Sequence, residues 1–513
     1  MESPPPPGAA EAELRRYLNR IEQRLAEIDH SLFLAWWNQY AGTSIAGTRR
    51  WDEVRARLVG RDDLLDFVQR ALEDPHSALL TRRLELWQRI VEDALVEQHP
   101  TVIRLRAPLI HRLFAFRPRW QGRKTTVADL RERLRTSDDP EVRHRAYDAL
   151  QEIWREVETN ERRLFAARNA RARALGYASF MDFRLRAEGL TLPQLEAYIG
   201  RILRASGPAH REFRDSFEER TGSSHYFPWD APKATLGRNP IPESSFAGGE
   251  MVAATLQAIR GWGFRGPPRP FRIVQRSIPV GGMTLAVQIP RDVRVAVNPR
   301  GGWLHYRILA HEFGHAVHGH YTRAPSHVLR GPETIPGYAG FAEGIGRLFE
   351  QISTETRWLL TRPGVTRRLV NQMRASFPDE ELRQGSITAH WVWKEIQLYT
   401  QPDADVSARF RRADRALFGY DDFPPGPVMD PFWIEAAFYS KSYLLASLLA
   451  AQLVRSLLQD VGRPLWPNRN VIPWLREQWF RHGARFDWVP RVKVVTGRPF
   501  GVSDFLDPEF RGD

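Results

Sequence analysis

The sequence predicts a mainly α-helical protein with one small antiparallel sheet, and three observations support this fold class. Two long segments, 13–40 and 140–175, place apolar residues at helical spacing. Segments with strand-like patterns are confined to residues 271–297. Helical patterns resume at about Trp303. Because the second long segment would form about nine or ten turns, we expect a helical framework to which the sheet is a minor addition.

Local signals predict where the two long helices begin and end. The first is expected to span Glu13 to Tyr40 and to end in an aromatic cluster, Phe33, Trp36 and Trp37. For the second helix, Asp139 is a favourable N-cap and Pro140 a favourable first-turn residue. Gly176 is its expected stop, because glycine readily adopts the left-handed backbone that ends a helix.

Three segments are predicted to form the sheet: Phe271–Val274, Met283–Ile289 and Val293–Val297. The second alternates apolar and polar residues, as a half-buried strand does. The turn at 299–302 should end the sheet. After the helix that begins at about Trp303, a further helix is expected at 340–350. A buried helix is expected to include 443–454.

The chain is expected to divide into a short tail and two regions that form one interlocked unit. Residues 1–11 are rich in proline and are predicted to be a disordered tail. Residues 12–230 should form an N-terminal helical region, and residues 231–513 a region that carries the candidate site.

The composition excludes several classes of protein. With 513 residues, 42% hydrophobic and 26% charged, the chain is neither collagen-like nor disordered throughout. It has no cysteine, which excludes disulfide scaffolds, thiolate zinc fingers, iron–sulfur clusters and cysteine nucleophiles. Any metal site must therefore use His, Asp or Glu.

The net charge of +13 has two interpretations, a basic binding surface or a compositional bias. Only five of the 74 basic residues are lysine, and the arginines are spread along the chain without a dense block. This distribution favours a compositional bias, so a nucleic-acid partner is not expected. The N-terminus lacks the pattern of a signal peptide, and the longest apolar stretch, Tyr443–Val454, is too short to span a bilayer. We therefore expect a cytoplasmic protein with no membrane partner.

The most informative motif is His311-Glu312-Phe313-Gly314-His315. Two histidines four residues apart on a helix point in the same direction and can bind one metal ion. A glutamate beside the first histidine can reach a water bound to that metal. The helix is otherwise apolar, and a glutamate buried there without a cation would be costly. The motif thus predicts His311 and His315 as ligands and Glu312 as the general base.

A carboxylate is available as the third ligand. Glu343 follows the second histidine by 28 residues, on the expected helix 340–350, and the loop 322–338 can turn the chain back toward the first helix. Two histidines, one carboxylate and a water form the usual tetrahedral site of catalytic zinc. The predicted cofactor is therefore one Zn²⁺ per chain.

The zinc-binding segments resemble a known family. Residues 311–318, together with Phe341-Ala342-Glu343 and Glu350 seven residues later, look like the two zinc helices of the thimet oligopeptidase and oligopeptidase F family. Residues 340–346 also resemble the related angiotensin-converting enzyme family. The resemblance is specific only in residues 300–350 and weaker elsewhere. It implies a two-lobed helical peptidase fold with a deep channel, which admits short unstructured peptides and has zinc at its floor.

Two positions depart from the patterns of these families. In the converting-enzyme branch an aspartate supports a zinc histidine four residues after the ligand glutamate, whereas this chain has Arg347. Both families carry a histidine upstream of the catalytic tyrosine, and residues 429–435 contain none. These departures bear on rate and specificity more than on metal binding.

Four further residues complete the candidate site. Glu350 lies about two turns from Glu343 on the same helix face and is predicted to hold a zinc histidine by a hydrogen bond. His318 has two interpretations: a packing or hydrogen-bonding residue, or a residue that supports a metal ligand or contacts the substrate. The resemblance implies a phenol as oxyanion donor, and it favours Tyr443, with Tyr439 as its partner or substitute.

The predicted function is that of a zinc metallopeptidase acting on short peptides. One alternative is a carboxypeptidase or peptidyl-dipeptidase, which needs a cation in the cleft for the terminal carboxylate of the substrate. Another is a catalytically inactive relative that binds peptides or nucleic acid through its basic surface. The intact set of ligands with Glu312 argues against the inactive relative.

Overall fold

The computed structural model describes residues 3–41, 48–266, 271–276, 278, 281–331, 335–424, 426–427, 430 and 432–507. Helices account for 69% of the structure, which confirms the mainly α fold class. Of the expected N-terminal tail, Met1 and Glu2 lie outside the described residues, and the first helix begins at Glu11. Within the described part of the chain, no helix is both long and apolar enough to cross a membrane.

The N-terminal half consists of helices and one two-stranded hairpin. The first six helices are α1 (Glu11–Tyr40), α2 (Arg49–Val59), α3 (Asp62–Glu73), α4 (Ala78–Glu97), α5 (Pro100–Ala115) and α6 (Val127–Thr136). The hairpin strands are β1 (Arg119–Trp120) and β2 (Arg123–Lys124). The next five helices are α7 (Pro140–Ala174), α8 (Phe180–Glu188), α9 (Leu192–Thr221), α10 (Ala231–Leu236) and α11 (Met251–Gly261).

The C-terminal half begins with a sheet and continues as helices. The strands are β3 (Arg272–Gln275), β4 (Gly282–Gln288) and β5 (Asp292–Val297). The helices before residue 400 are α12 (Trp303–Tyr321), α13 (His327–Arg330), α14 (Ala339–Glu350), α15 (Thr356–Leu359) and α16 (Arg367–Thr400). The remaining helices are α17 (Ser407–Phe418), α18 (Phe432–Glu435), α19 (Ser440–Asp460), α20 (Val471–Gln478), α21 (Trp488–Thr496) and α22 (Ser503–Leu506).

The long helix α7 begins and ends where the sequence predicts. The Asp139 carboxylate accepts a hydrogen bond of 2.9 Å from the backbone N–H of Glu141, which satisfies one of the free donors at the helix start. After the helix, Gly176 adopts φ 87°, the left-handed backbone that a glycine permits at low cost.

The three-stranded sheet has the order β3-β5-β4 and is mixed. Strands β4 and β5 are antiparallel, as expected, whereas β3 runs parallel to β5, so the prediction of a purely antiparallel sheet is wrong in this respect. These pairings mean that β3 and β4 run in opposite directions. Because β5 lies between these two strands and opposes β4, it must run parallel to β3.

Three helices and one strand surround the candidate site. Helix α14 packs against both α12 and α19, and β4 packs against α12. The largest hydrophobic core extends from Leu14 in α1 to Phe505 in α22. The expected regions 12–230 and 231–513 therefore share one core.

Candidate metal centre

Helix α12 places two histidine rings together. The Nε2 atoms of His311 and His315 lie 3.1 Å apart, because residues four apart in a helix share a face. Both rings are largely buried, with His315 only 9% exposed. Burial and the neighbouring His311 lower the pKa of His315 to about 4, so this ring stays neutral and keeps a lone pair available.

Helix α14 brings Glu343 to the same point. Its Oε2 atom lies 3.1 Å from Nε2 of His311. One ligand atom from each of His311, His315 and Glu343 lies within 4.8 Å of the other two. The structure therefore brings together the three ligands that the sequence predicts.

The arrangement of these atoms suits a cation. Nδ1 of His311 lies 2.9 Å from Oε1 of Glu350, so with its proton on that nitrogen the ring directs the lone pair of Nε2 toward His315 and Glu343. Burial alone would lower the pKa of His311, but Glu343 and Glu350 raise it to about 10, so without a metal Nε2 carries a proton that a bound cation would replace. The site thus favours positive charge where the ligand atoms converge. Two imidazole nitrogens and one carboxylate form a set that fits zinc.

The carboxylate of Glu312 is held by strand β4. The hydroxyl of Thr284 donates a hydrogen bond of 2.8 Å to Oε2 of Glu312. Strand β4 can approach this closely because residue 282 is glycine: a Cβ atom there would lie 2.7 Å from Cγ of Glu312. Burial raises the pKa of Glu312 to about 7, although His311 and Thr284 oppose the shift. Near neutral pH this carboxylate is therefore able both to accept and to return a proton.

Glycines let α14 approach both of its neighbours. A Cβ atom on Gly346 would lie 2.5 Å from Cε1 of His311. A Cβ atom on Gly344 would lie 2.6 Å from Cδ2 of Leu449 in α19. Such distances are shorter than van der Waals contact, so the positions of the ligands depend on the absence of side chains here.

We expect Gly346→Ala to weaken zinc binding without removing a ligand. The new methyl group would displace the His311 ring from the position that it shares with His315 and Glu343. Competitive titration with a zinc chelator should show a dissociation constant at least ~10-fold higher. Gly200→Ala in α9 is the control, since a Cβ there meets only the flexible end of Arg204. Equal zinc affinity in the two variants would contradict the prediction.

Four charged side chains form a closed ring behind His311. Glu350 contacts both Arg307 and Arg347, and the same two arginines each lie 2.6 Å from an oxygen of Glu381 in α16. Burial would raise the pKa of Glu350, but Arg347 and Arg307 hold it well below its ordinary value. Glu350 therefore remains an acceptor for His311. Arg347 contributes to the support of that histidine through Glu350.

Two tyrosines at the start of α19 lie near the candidate ligands: Tyr439 immediately before the helix and Tyr443 in its first turn. The hydroxyl of Tyr439 donates a hydrogen bond of 2.7 Å to Oε1 of Glu343. The ring of Tyr443 lies next to that of Tyr439, with 5.5 Å between their centroids. Burial, Glu343 and Glu312 raise the pKa of Tyr443 well above its ordinary value, so its hydroxyl keeps its proton.

His318 is buried in the core next to the site. Its ring packs against Phe341 and Phe480, with centroid distances of 5.3 Å and 5.0 Å. Among the described residues, neither ring nitrogen has a hydrogen-bond partner. Burial lowers its pKa to about 3, so the ring is neutral. The contacts favour the packing interpretation, and no hydrogen bond supports a role behind a metal ligand.

A cavity of about 510 Å³ is lined by Tyr439 and Ser442, whereas His311, Glu312, His315 and Glu343 are not among its lining residues. Its other walls come from α1, α2, α4, α5, α8 and the segment 335–339. Four cationic side chains line it, and each is paired with a carboxylate: Arg55 with Asp29, Arg106 with Glu97, Arg184 with Asp93, and Lys441 with Glu188. The cavity is large enough for several side chains of an extended peptide.

Sequence reasoning missed several residues of the site. Thr284 contacts Glu312, Arg307 contacts Glu350, and Glu381 contacts Arg307, but the three residues come from separate elements. Arg307 and Glu381 are 74 positions apart, beyond the reach of any periodicity. One signal was available for Arg307: it lies on the apolar helix α12, one turn before His311.

Comparison of the structure with solved structures identifies proteins of similar fold. A structure assigned as an oligoendopeptidase F has a TM-score of 0.73 and 16% identity, covering 98% of this chain and 92% of the other. The M32 carboxypeptidase from Deinococcus radiodurans R1 has a TM-score of 0.66 and 16% identity, covering 96% of this chain and 97% of the other. At this identity the likeness establishes the fold alone. No protein-family model and no curated protein matches the sequence.

Proposed function

We propose that this protein is a zinc-dependent metallopeptidase that hydrolyses peptide bonds in short unstructured peptides. The observation that carries the proposal is the convergence of His311, His315 and Glu343 within 4.8 Å, with Glu312 next to them. The cavity that opens onto Tyr439 offers a route for an extended peptide. Both similar structures are described as peptidases, an oligoendopeptidase and a carboxypeptidase, which agrees with this function.

The residues of the site have distinct tasks in the proposed reaction. Zinc held by His311, His315 and Glu343 would acidify a coordinated water and polarise the scissile carbonyl. Glu312 takes the proton of the attacking water and later delivers it to the leaving amine. Thr284 keeps the carboxylate of Glu312 in place by its hydrogen bond of 2.8 Å. Tyr443 donates its hydroxyl proton as a hydrogen bond to the developing oxyanion.

The cavity argues against the first alternative, a carboxypeptidase or peptidyl-dipeptidase. Such an enzyme needs a cation to bind the terminal carboxylate of its substrate. Among the described residues that line the cavity, all four cations are already paired with carboxylates of the protein. An additional carboxylate would have to compete with these pairs. We therefore favour internal cleavage of the peptide.

One experiment tests the proposed function and the mode of cleavage together. Purified protein is assayed for metal content and for hydrolysis of an internally quenched peptide, with and without a chelator. The expected result is about one zinc per chain and activity that chelation removes and zinc restores. If cleavage is internal, a C-terminally amidated peptide and the same peptide with a free carboxylate should be cut at the same bond. Absence of turnover in the zinc-loaded protein, with a salt-sensitive gel shift on DNA or RNA, would favour the inactive basic relative.

Glu350→Gln should weaken zinc binding by ~10- to 100-fold, because the neutral amide is a poorer acceptor for the N–H of His311. Nδ1 of His311 and Oε1 of Glu350 lie 2.9 Å apart in the structure. A zinc titration measures the effect. Glu380→Gln is a matched control, because among the described residues the Glu380 side chain bonds to Arg383 and Gln384 and not to Arg307 or Arg347. The same zinc affinity in both variants would show that Glu350 does not support the ligand.

A further inference from the structure

A buried carboxylate outside the candidate metal centre contacts the chain on both sides of Tyr439. Glu395 lies in α16 and is fully buried. Its Oε1 atom accepts a hydrogen bond of 2.7 Å from the backbone N–H of Phe438. Its Oε2 atom accepts a hydrogen bond from the hydroxyl of Ser440. The two oxygens therefore hold the residues immediately before and after Tyr439.

The backbone at this point is one that needs such support. Phe438 has φ 53°, in the left-handed region that bulky residues rarely adopt. Its side chain is fully buried, so packing of the ring helps to hold the residue in this conformation. The hydrogen bond from its N–H to Glu395 satisfies a donor that the turn would otherwise leave buried and unpaired. Glu395 thus stabilises the turn from which Tyr439 projects.

A hydrogen bond connects the turn to the candidate metal centre. The Tyr439 hydroxyl donates to Oε1 of Glu343, 2.7 Å away, while the other oxygen of Glu343 lies 3.1 Å from Nε2 of His311. A carboxylate held by such a bond has fewer orientations available, which favours metal binding. The position of Glu343 therefore depends on the position of Tyr439.

We infer that Glu395 is a positioning residue, which fixes Tyr439 and through it the orientation of Glu343 at the metal. The inference rests on the proposed function only in that Glu343 is taken as a zinc ligand. Burial raises the pKa of Glu395 to about 8. Near neutral pH the group is therefore largely a neutral acid, and in that state Oε2 donates to the Ser440 hydroxyl instead of accepting from it, while Oε1 still accepts from Phe438. Glutamine resembles this protonated state in shape and in its ability both to accept and to donate. This similarity provides a conservative variant.

The inference is tested with Glu395→Met, which keeps the volume but removes both acceptors, and with Glu395→Gln, which retains one acceptor and a donor. Ser440→Ala removes one of the two hydrogen bonds and serves if the methionine variant does not fold. Ser456→Ala, on the same helix α19 about four turns away, is the matched control. Two quantities are measured: hydrogen–deuterium exchange of the segment 436–440, and affinity for Zn²⁺ by chelator competition.

We expect faster exchange in segment 436–440 and a zinc dissociation constant ~10-fold higher in Glu395→Met and Ser440→Ala. Glu395→Gln and Ser456→Ala should stay close to the wild type. In a Tyr439→Phe background, Ser440→Ala should have no further effect on zinc affinity, because the link to Glu343 is already broken. Unchanged hydrogen–deuterium exchange of segment 436–440 in Glu395→Met and Ser440→Ala would overturn the inference. So would faster exchange with unchanged zinc affinity, since Glu395 would then support the turn but not the metal ligand.

Neither measurement requires peptide turnover. If the wild-type protein binds zinc but hydrolyses no peptide, the proposed peptidase activity fails while the role of Glu395 can still be confirmed. If the protein hydrolyses peptides and the exchange and zinc data do not change, only the role of Glu395 fails.

Discussion

Glu312→Gln is expected to lower kcat for peptide hydrolysis by about 10²- to 10⁴-fold while zinc remains bound. Glutamine has the same shape and can still accept the hydrogen bond from Thr284. Glutamine cannot take a proton from the attacking water, so the variant loses the general base but keeps the three metal ligands. The measurement is kcat on a quenched peptide together with the zinc content of the same sample.

His315→Ala is the comparison that separates loss of the base from loss of the metal. Its ring supplies one of the two imidazole nitrogens, which lie 3.1 Å apart. This variant should lose both zinc and activity, whereas Glu312→Gln should lose activity alone. Wild-type turnover in Glu312→Gln would show that another group acts as the base, and the proposed mechanism would be wrong.

Tyr443→Phe is expected to lower kcat by about 10²- to 10³-fold with little change in zinc content. Within the described residues, the Tyr443 hydroxyl has no hydrogen-bond partner, and burial together with Glu343 and Glu312 raises its pKa well above the ordinary value. It is therefore a protonated donor that no protein acceptor occupies. The developing oxyanion is the partner that we propose for it. Steady-state kinetics with a zinc assay on the same preparation measure the effect.

Tyr439→Phe provides the contrast. The hydroxyl of Tyr439 is already bonded to Glu343 at 2.7 Å, so its removal should weaken zinc binding more than it slows the reaction of the zinc-loaded protein. If instead Tyr439→Phe lowers kcat at saturating zinc and Tyr443→Phe does not, the two tyrosines exchange roles. Full activity in both variants would exclude a phenol as oxyanion donor.

The sequence was sufficient to predict those parts of the fold and of the candidate site that lie on single helices. The spacing of His311 and His315 reflects the geometry of one helix, and Asp139 reflects a local rule of helix capping. The position of Glu343 required only that the chain turn back once. Predictions of this kind depend on interactions between near neighbours in the chain, which a sequence displays directly.

The remaining parts depend on packing between distant elements. The pairing of Arg307 with Glu381 spans 74 positions and requires α12 to meet α16. The hydrogen bonds of Glu395 to residues 438 and 440 likewise require α16 to meet the start of α19. Many acidic residues of the sequence could have formed such contacts, and no local pattern distinguishes Glu395 from them. The parallel pairing of β3 with β5 was missed because β5 lies between two strands that precede it in the chain.

The packing of α14 against α19 has a consequence for the protein during its synthesis. All three candidate zinc ligands precede residue 350, whereas Tyr443 and Leu449 belong to a helix that leaves the ribosome about a hundred residues later. A growing chain therefore has its three metal ligands before it has Tyr439, which is bonded to Glu343, or Leu449, which packs against Gly344. On the proposed function, tight zinc binding and peptide cleavage would both wait until the C-terminal part of the chain has been made.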